Sequence, residues 1–163
     1  MYSSYMEENS AKRHRNAVGP VGEHVAWNVR RLRAMRNLST TQLANRLTEA
    51  GRPILANAIT KIEAGSRRVD VDDLVALAVV LGVNPSALLF PPDDDDTSMG
   101  VTGAGRFRAE VIWDWADGRA PLRERDFIPD EHELRETFTR FQLDARPPGR
   151  RTYEFPAWLG GEQ

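Results

Sequence analysis

The feature that most constrains this chain is where its helical pattern is cut. Between Glu23 and Leu89 apolar residues recur at three- and four-residue spacing. Helix breakers divide that run at Gly51-Arg52-Pro53, Ala64-Gly65, Gly82 and Asn84-Pro85. Segments this short are marginal as isolated helices, so each must bury its apolar stripe against the others. The pattern predicts an all-α fold whose front domain, residues 22–90, is built from five short helices.

The first helix is expected from about Gly22 to Arg36, with Val25, Val29 and Leu32 facing inward and Arg30, Arg31 and Arg33 around them. Ser39 suits the N-cap of the second, whose buried stripe is Leu43, Ala44 and Leu47; Gly51 and Pro53 stop it. The third begins near Leu55, turns Ile59 and Ile62 inward, and ends at Ala64-Gly65. Asp70 caps the fourth, VDDLVALAVVLG, whose continuous apolar content suits a core helix. Asn84-Pro85 then opens a short fifth helix through Leu89.

Charge divides the chain in the same place. Residues 1–90 hold 12 Lys/Arg against 8 Asp/Glu, a net of +4, and residues 91–163 hold 10 against 16, a net of −6. Within 22–69 the balance is 9 against 3, or +6. A basic front joined to an acidic back points to a polyanion as partner of the front. The absence of cysteine excludes disulfides, thiolate-bound zinc and thiol nucleophiles. No apolar run approaches the ~20 residues of a membrane-spanning helix. The start, MYSSYMEENSAKRHRN, carries no signal-peptide core. These features predict a cytoplasmic, nucleoid-associated protein with no membrane contact.

The remaining segments are expected to be an arm at 1–21, closed by Gly19-Pro20, an acidic Pro/Gly/Asp linker at 91–105, and a partly ordered extension at 106–163. In the linker, Asp93 to Asp96 read as a solvated spacer rather than a metal site. In the extension, Phe107, Val111 and Trp115 predict one amphipathic helix, and Leu134, Phe138 and Phe141 another, opened by a capping box of Asp130 and Glu133. The tail after it, with Trp158, is expected to be irregular.

The runs LSTTQLANRL, ITKIEAGSRRV and LVALAVVLGVNPSALL together resemble the phage-repressor, Cro/C1-type helix-turn-helix family, also called XRE, over about residues 25–90. The resemblance rests on ordered features: Leu-Ser-x-x-x-Leu-Ala, then Ile-x-x-Ile-Glu-x-Gly, then Leu-Gly-Val-x-x-x-x-Leu-Leu. It implies that the third helix enters the major groove of double-stranded DNA and presents Leu55, Ala56, Asn57, Thr60 and Lys61 to base edges. Asn57 has the paired donor and acceptor that read adenine, Lys61 can reach guanine, and Ala56 can touch a thymine methyl. Asn57 could instead cap the third helix, though base contact is favoured, and Lys61 could contact phosphate. The resemblance further implies phosphate contacts from Thr40 and Thr41 at the start of the second helix and from Arg67 and Arg68 after the third. It also implies a structural salt bridge between Arg33 and Glu63. Eleven residues, TEAGRPILANA, separate Leu47 from Ile59, several more than the family's tight turn. They are expected to add a turn to helix two and widen the connection at Gly51-Arg52-Pro53.

Catalysis finds no support in the residues. His14, His24 and His132 are far apart, and there is no Gly-rich phosphate loop, GxSxG or HExxH. No catalytic residue, metal or cofactor is expected. Two functions stay open: a repressor-like transcriptional regulator, and an antitoxin-like protein whose extension at 106–163 binds a toxin or other protein. A homodimer is compatible with both.

Overall fold

The computed structural model of the chain describes residues 17–93, 97–122 and 130–151. Two compact units divide the chain, Met1–Leu89 and Phe90–Gln163.

In the first unit, α1 spans Pro20–Met35, α2 Thr40–Glu49, α3 Ala56–Glu63, α4 Val71–Val80 and α5 Ser86–Leu89. Pro20 does not close a polar arm. It is the first residue of α1, where its fixed φ suits the helix and its missing N–H costs no bond. Residues 1–16 of the expected arm lie outside the described residues. α2 opens with a capping box: Gln42 N–H donates to Ser39 Oγ (3.1 Å), and Ser39 N–H donates to Gln42 Oε1 (2.8 Å). Its other end turns on Gly51, at φ +82°, where Arg52 N–H bonds back to the Leu47 carbonyl at 2.9 Å. The extra residues noted in the sequence therefore add no turn to α2: Ala50 and Gly51 turn the chain, and residues 52–55 lead without regular structure into α3.

Val29, Leu43, Leu47, Ile59, Ile62, Leu77, Leu81 and Leu88 are sealed from solvent, one or two from each helix, and form a single core. Asn28 is buried with them and donates to the Leu88 carbonyl at 3.1 Å, which ties α1 to α5. α4 differs from its apolar sequence. Asp73, Leu77 and Ala78 face inward, while Val71, Val75 and Val79 stand in solvent at i, i+4, i+8. The continuous apolar content suits a core helix, and α4 does pack on the core with one face, but three valines form an outward stripe.

The second unit overturns the all-α expectation. Strands β1 (Ser98–Val101) and β2 (Gly105–Arg108) pair antiparallel, with Met99 opposite Phe107. They occupy part of the expected linker, because Gly103 and Gly105 supply the positive φ values (+83° and +103°) that the hairpin turn requires. Phe107 consequently belongs to a strand, and α6 starts at Ala109, running to Ala116. Met99, Val101 and Phe107 line one face of the hairpin and are buried, as are Val111, Ile112 and Phe138 in this unit. Trp113 donates its indole N–H to the Pro91 carbonyl at 3.0 Å, and Phe90 meets Trp113 and Trp115 edge-on.

α7 spans Glu131–Ala145, capped by Asp130, which accepts from the Glu133 amide at 2.9 Å. On its inner face Gln142 is buried beside Phe138 and donates to the carbonyls of Gly118 and Arg119. Asp94 to Asp96 and Trp158 lie outside the described residues. No described helix is long and apolar enough to cross a membrane.

Candidate nucleic-acid interface

The site is built on α2, α3 and the segments flanking α3. At the start of α2 the amides of Gln42 and Leu43 are satisfied by Ser39. Those of Thr40 and Thr41, the first two of the helix, are among the groups that helix geometry leaves without an intrahelical acceptor. Thr41 is exposed and Thr40 half-buried. The helix end thus offers amides and hydroxyls to an oxygen anion.

α3 has only eight residues, and the packing of Ala58, Ile59 and Ile62 decides its orientation. The residue at its N-cap is Leu55, whose carbonyl accepts from Ala58 and Ile59. Asn57 sits one residue inside the helix and is exposed, so it is not the cap. Asn57 and Lys61 stand four residues apart on the outer face, with Thr60 beside them. The Thr60 hydroxyl donates to the Ala56 carbonyl at 3.0 Å, which fixes its rotamer and leaves its oxygen as an acceptor. Leu55 is 70% exposed, an unusual setting for a leucine. Ala56 is half-buried and packs on the core, so its methyl is less available than the exposed face implied.

Behind the helix, Arg33 grips Glu63 with two parallel bonds, Nε to Oε1 at 2.6 Å and Nη2 to Oε2 at 2.8 Å. Its Nη1 also donates to the Leu38 carbonyl at 2.7 Å. One side chain on α1 therefore holds both the last residue of α3 and the approach to α2. The Glu63 bond raises the Arg33 pKa, and that guanidinium stays charged at every relevant pH.

Arg67 and Arg68 follow α3 and are exposed, but they are not equivalent. Arg67 Nη2 lies 3.5 Å from Asp73, whereas Arg68 has no carboxylate partner among the described residues. Arg52 is the residue that sequence reasoning missed. Its Nε donates to Asp73 at 2.8 Å and its Nη2 reaches Asp70 at 3.1 Å, so the widened connection is pinned to the start of α4. The signal was in the sequence, as one arginine in a loop and three aspartates at a helix start, but nothing in it said that they meet. Among the described residues no group of His, Asp or Glu is placed to hold a metal ion.

Residues 24–89 match the family model for a helix-turn-helix domain. No curated protein and no solved structure gives a match to the chain. Over these residues the front unit is similar to a helix-turn-helix domain. The matched residues begin inside α1 and end with α5, taking in the whole candidate interface.

Proposed function

We propose that this protein is a sequence-specific, double-stranded DNA-binding regulator of transcription, of the phage-repressor kind. α3 enters the major groove, Asn57 and Lys61 read base edges, and Thr60 assists. Leu55 offers an apolar contact to a thymine methyl at the groove wall, and Ala56 contributes less. Thr40, Thr41, Arg67 and Arg68 take phosphates and set the register. The observation that carries this reading is the outer face of α3. It is polar, and among the described residues no side-chain partner holds Asn57 or Lys61, yet it is locked from behind by the bidentate Arg33–Glu63 pair. A helix rigid on one side and unsatisfied on the other is suited to reading a groove.

The test is selection of bound duplexes from a random pool with the full chain. A recurring sequence motif, lost when Asn57 and Lys61 are both replaced by Ala, supports the reading. Recovery of unrelated duplexes only, or a motif indifferent to both substitutions, refutes it.

A further inference from the structure

Four basic side chains flank or lie on α3: Arg52 before it, Lys61 within it, Arg67 and Arg68 after it. The structure sorts them. Arg52 is held by three aspartates of the α4 start: Asp73 at 2.8 Å, Asp70 at 3.1 Å and Asp72 at 3.9 Å. Arg67 is held by a single 3.5 Å approach to Asp73. Asp73 itself is nearly sealed, its side chain 5% exposed, and its backbone amide donates to Asp70 Oδ1 at 2.7 Å. The Arg52 side chain is still 41% exposed, so solvent and a polyanion can approach it.

Resting on the reading of α3 as a DNA-reading helix, we propose that Asp70 and Asp73 are specificity-determining residues that sequester Arg52 from phosphate. The physical argument is one of competition. Affinity for any duplex grows with each cation that displaces counterions from phosphate, whatever the base sequence. A guanidinium already satisfied in charge and geometry by carboxylates gains little by moving to a phosphate. Arg52 is thereby removed from the sequence-blind part of binding, while Arg67, held weakly, can swing to the backbone. The same bonds tether residues 52–55, which lead directly into α3, so the carboxylates also fix how the reading helix is presented.

The test replaces both carboxylates by amides in the full chain, Asp70→Asn with Asp73→Asn. Asparagine is as good an N-cap as aspartate and keeps the volume, so the start of α4 is retained. Affinity for the selected duplex and for random duplex is measured from 50 to 200 mM salt, beside a melting curve. Release of Arg52 is expected to steepen the log–log salt slope for random duplex by about one and to raise that affinity roughly fivefold near 0.15 M. The selected duplex is expected to gain less, so the specificity ratio falls. Adding Arg52→Ala to the double variant should return the slope to the wild-type value.

An unchanged slope in a folded double variant, or a steeper slope that persists after Arg52→Ala, overturns the inference. Should the double variant not fold, the single changes decide. Arg52→Ala should leave the wild-type slope in place while Arg67→Ala flattens it, and the reverse order overturns the inference. Absence of salt-dependent duplex binding by the wild type removes the DNA reading itself, and this inference with it. A wild-type slope with the wrong response at Arg52 removes the inference alone.

Discussion

Replacing Arg33 by Ala tests the frame on which α3 depends. The substitution deletes two charge-assisted bonds to Glu63 and one to the Leu38 carbonyl. The Glu63 side chain is 9% exposed, so the carboxylate left behind is mostly out of reach of water. Breaking a fully buried ion pair costs about 3–5 kcal/mol, chiefly through the stranded charge. The 18% exposure of Arg33 and the proximity of solvent reduce this to about 2–3 kcal/mol. For a helical unit of this size each kcal/mol lowers Tm by about 4–8 °C, so a fall of roughly 10–20 °C is expected.

The assay is thermal unfolding by circular dichroism of the full chain, with Glu63→Ala and the double variant measured alongside. Arg33 can extend into solvent when Glu63 is removed, so Glu63→Ala should cost less than Arg33→Ala. The double variant should be more stable than the sum of the two singles predicts, by about 1–2 kcal/mol. A drop below about 3 °C for Arg33→Ala, or strictly additive losses, would show that the pair does not hold α3.

Arg67→Ala combined with Arg68→Ala should weaken selected and random duplexes alike and lower the salt slope by up to about two; an unchanged slope would relocate the phosphate contacts. Asn57→Ala should cost about 1–3 kcal/mol on the selected duplex and almost nothing on random duplex, and equal losses on both would end its assignment as a base reader. His24 supplies a pH dependence. Burial lowers its pKa below the ordinary 6.5, against a weaker opposing effect of Glu23, and its buried Nδ1 has no hydrogen-bond partner among the described residues. The unfolded chain therefore takes the proton first, and stability that is full above pH 6.5 should decline as pH falls through the lower, folded value. His24→Gln should flatten that decline in melts at pH 7.5 and 5.5, and identical responses in the two proteins would rule it out.

The front unit was legible because its signals are local. Ser39, Gly51, Asp70 and the Asn84-Pro85 pair mark helix ends through interactions spanning three to five residues, and the apolar spacing of Val29, Leu43, Leu47, Ile59 and Ile62 names the core. α4 misled because burial is a property of neighbours. Nothing in VDDLVALAVV says that Val71, Val75 and Val79 are exposed. The hairpin was missed for a different reason. Each strand has four residues, too few for alternation to stand out, and its glycines read equally well as a linker. Arg52 was invisible because its partners are 18 to 21 residues away and the pairing depends on the fold. At the interface, exposure of Asn57 and Lys61 followed from helical period alone, while the tether behind them did not.

That tether bears on how the proposed base-reading face could change its preference. An eight-residue helix has too few internal bonds to persist by itself, so α3 exists in this orientation because the core and two ionic grips impose it. One grip, Arg33 on Glu63, acts on the last turn of α3; the other, Asp73 with Arg52, acts on the segment entering it. Neither involves Asn57, Thr60 or Lys61 side chains, which contribute almost nothing to the core. Substitutions at those three positions should therefore alter base preference with little change in stability, whereas changes at Arg33, Glu63 or Asp73 should alter stability or docking without creating a new preference. The separation follows from geometry. In a helix of two turns the inner face is occupied by Ala58, Ile59 and Ile62 with Ala56 at its edge, and the side chains that remain outward are not constrained by the core.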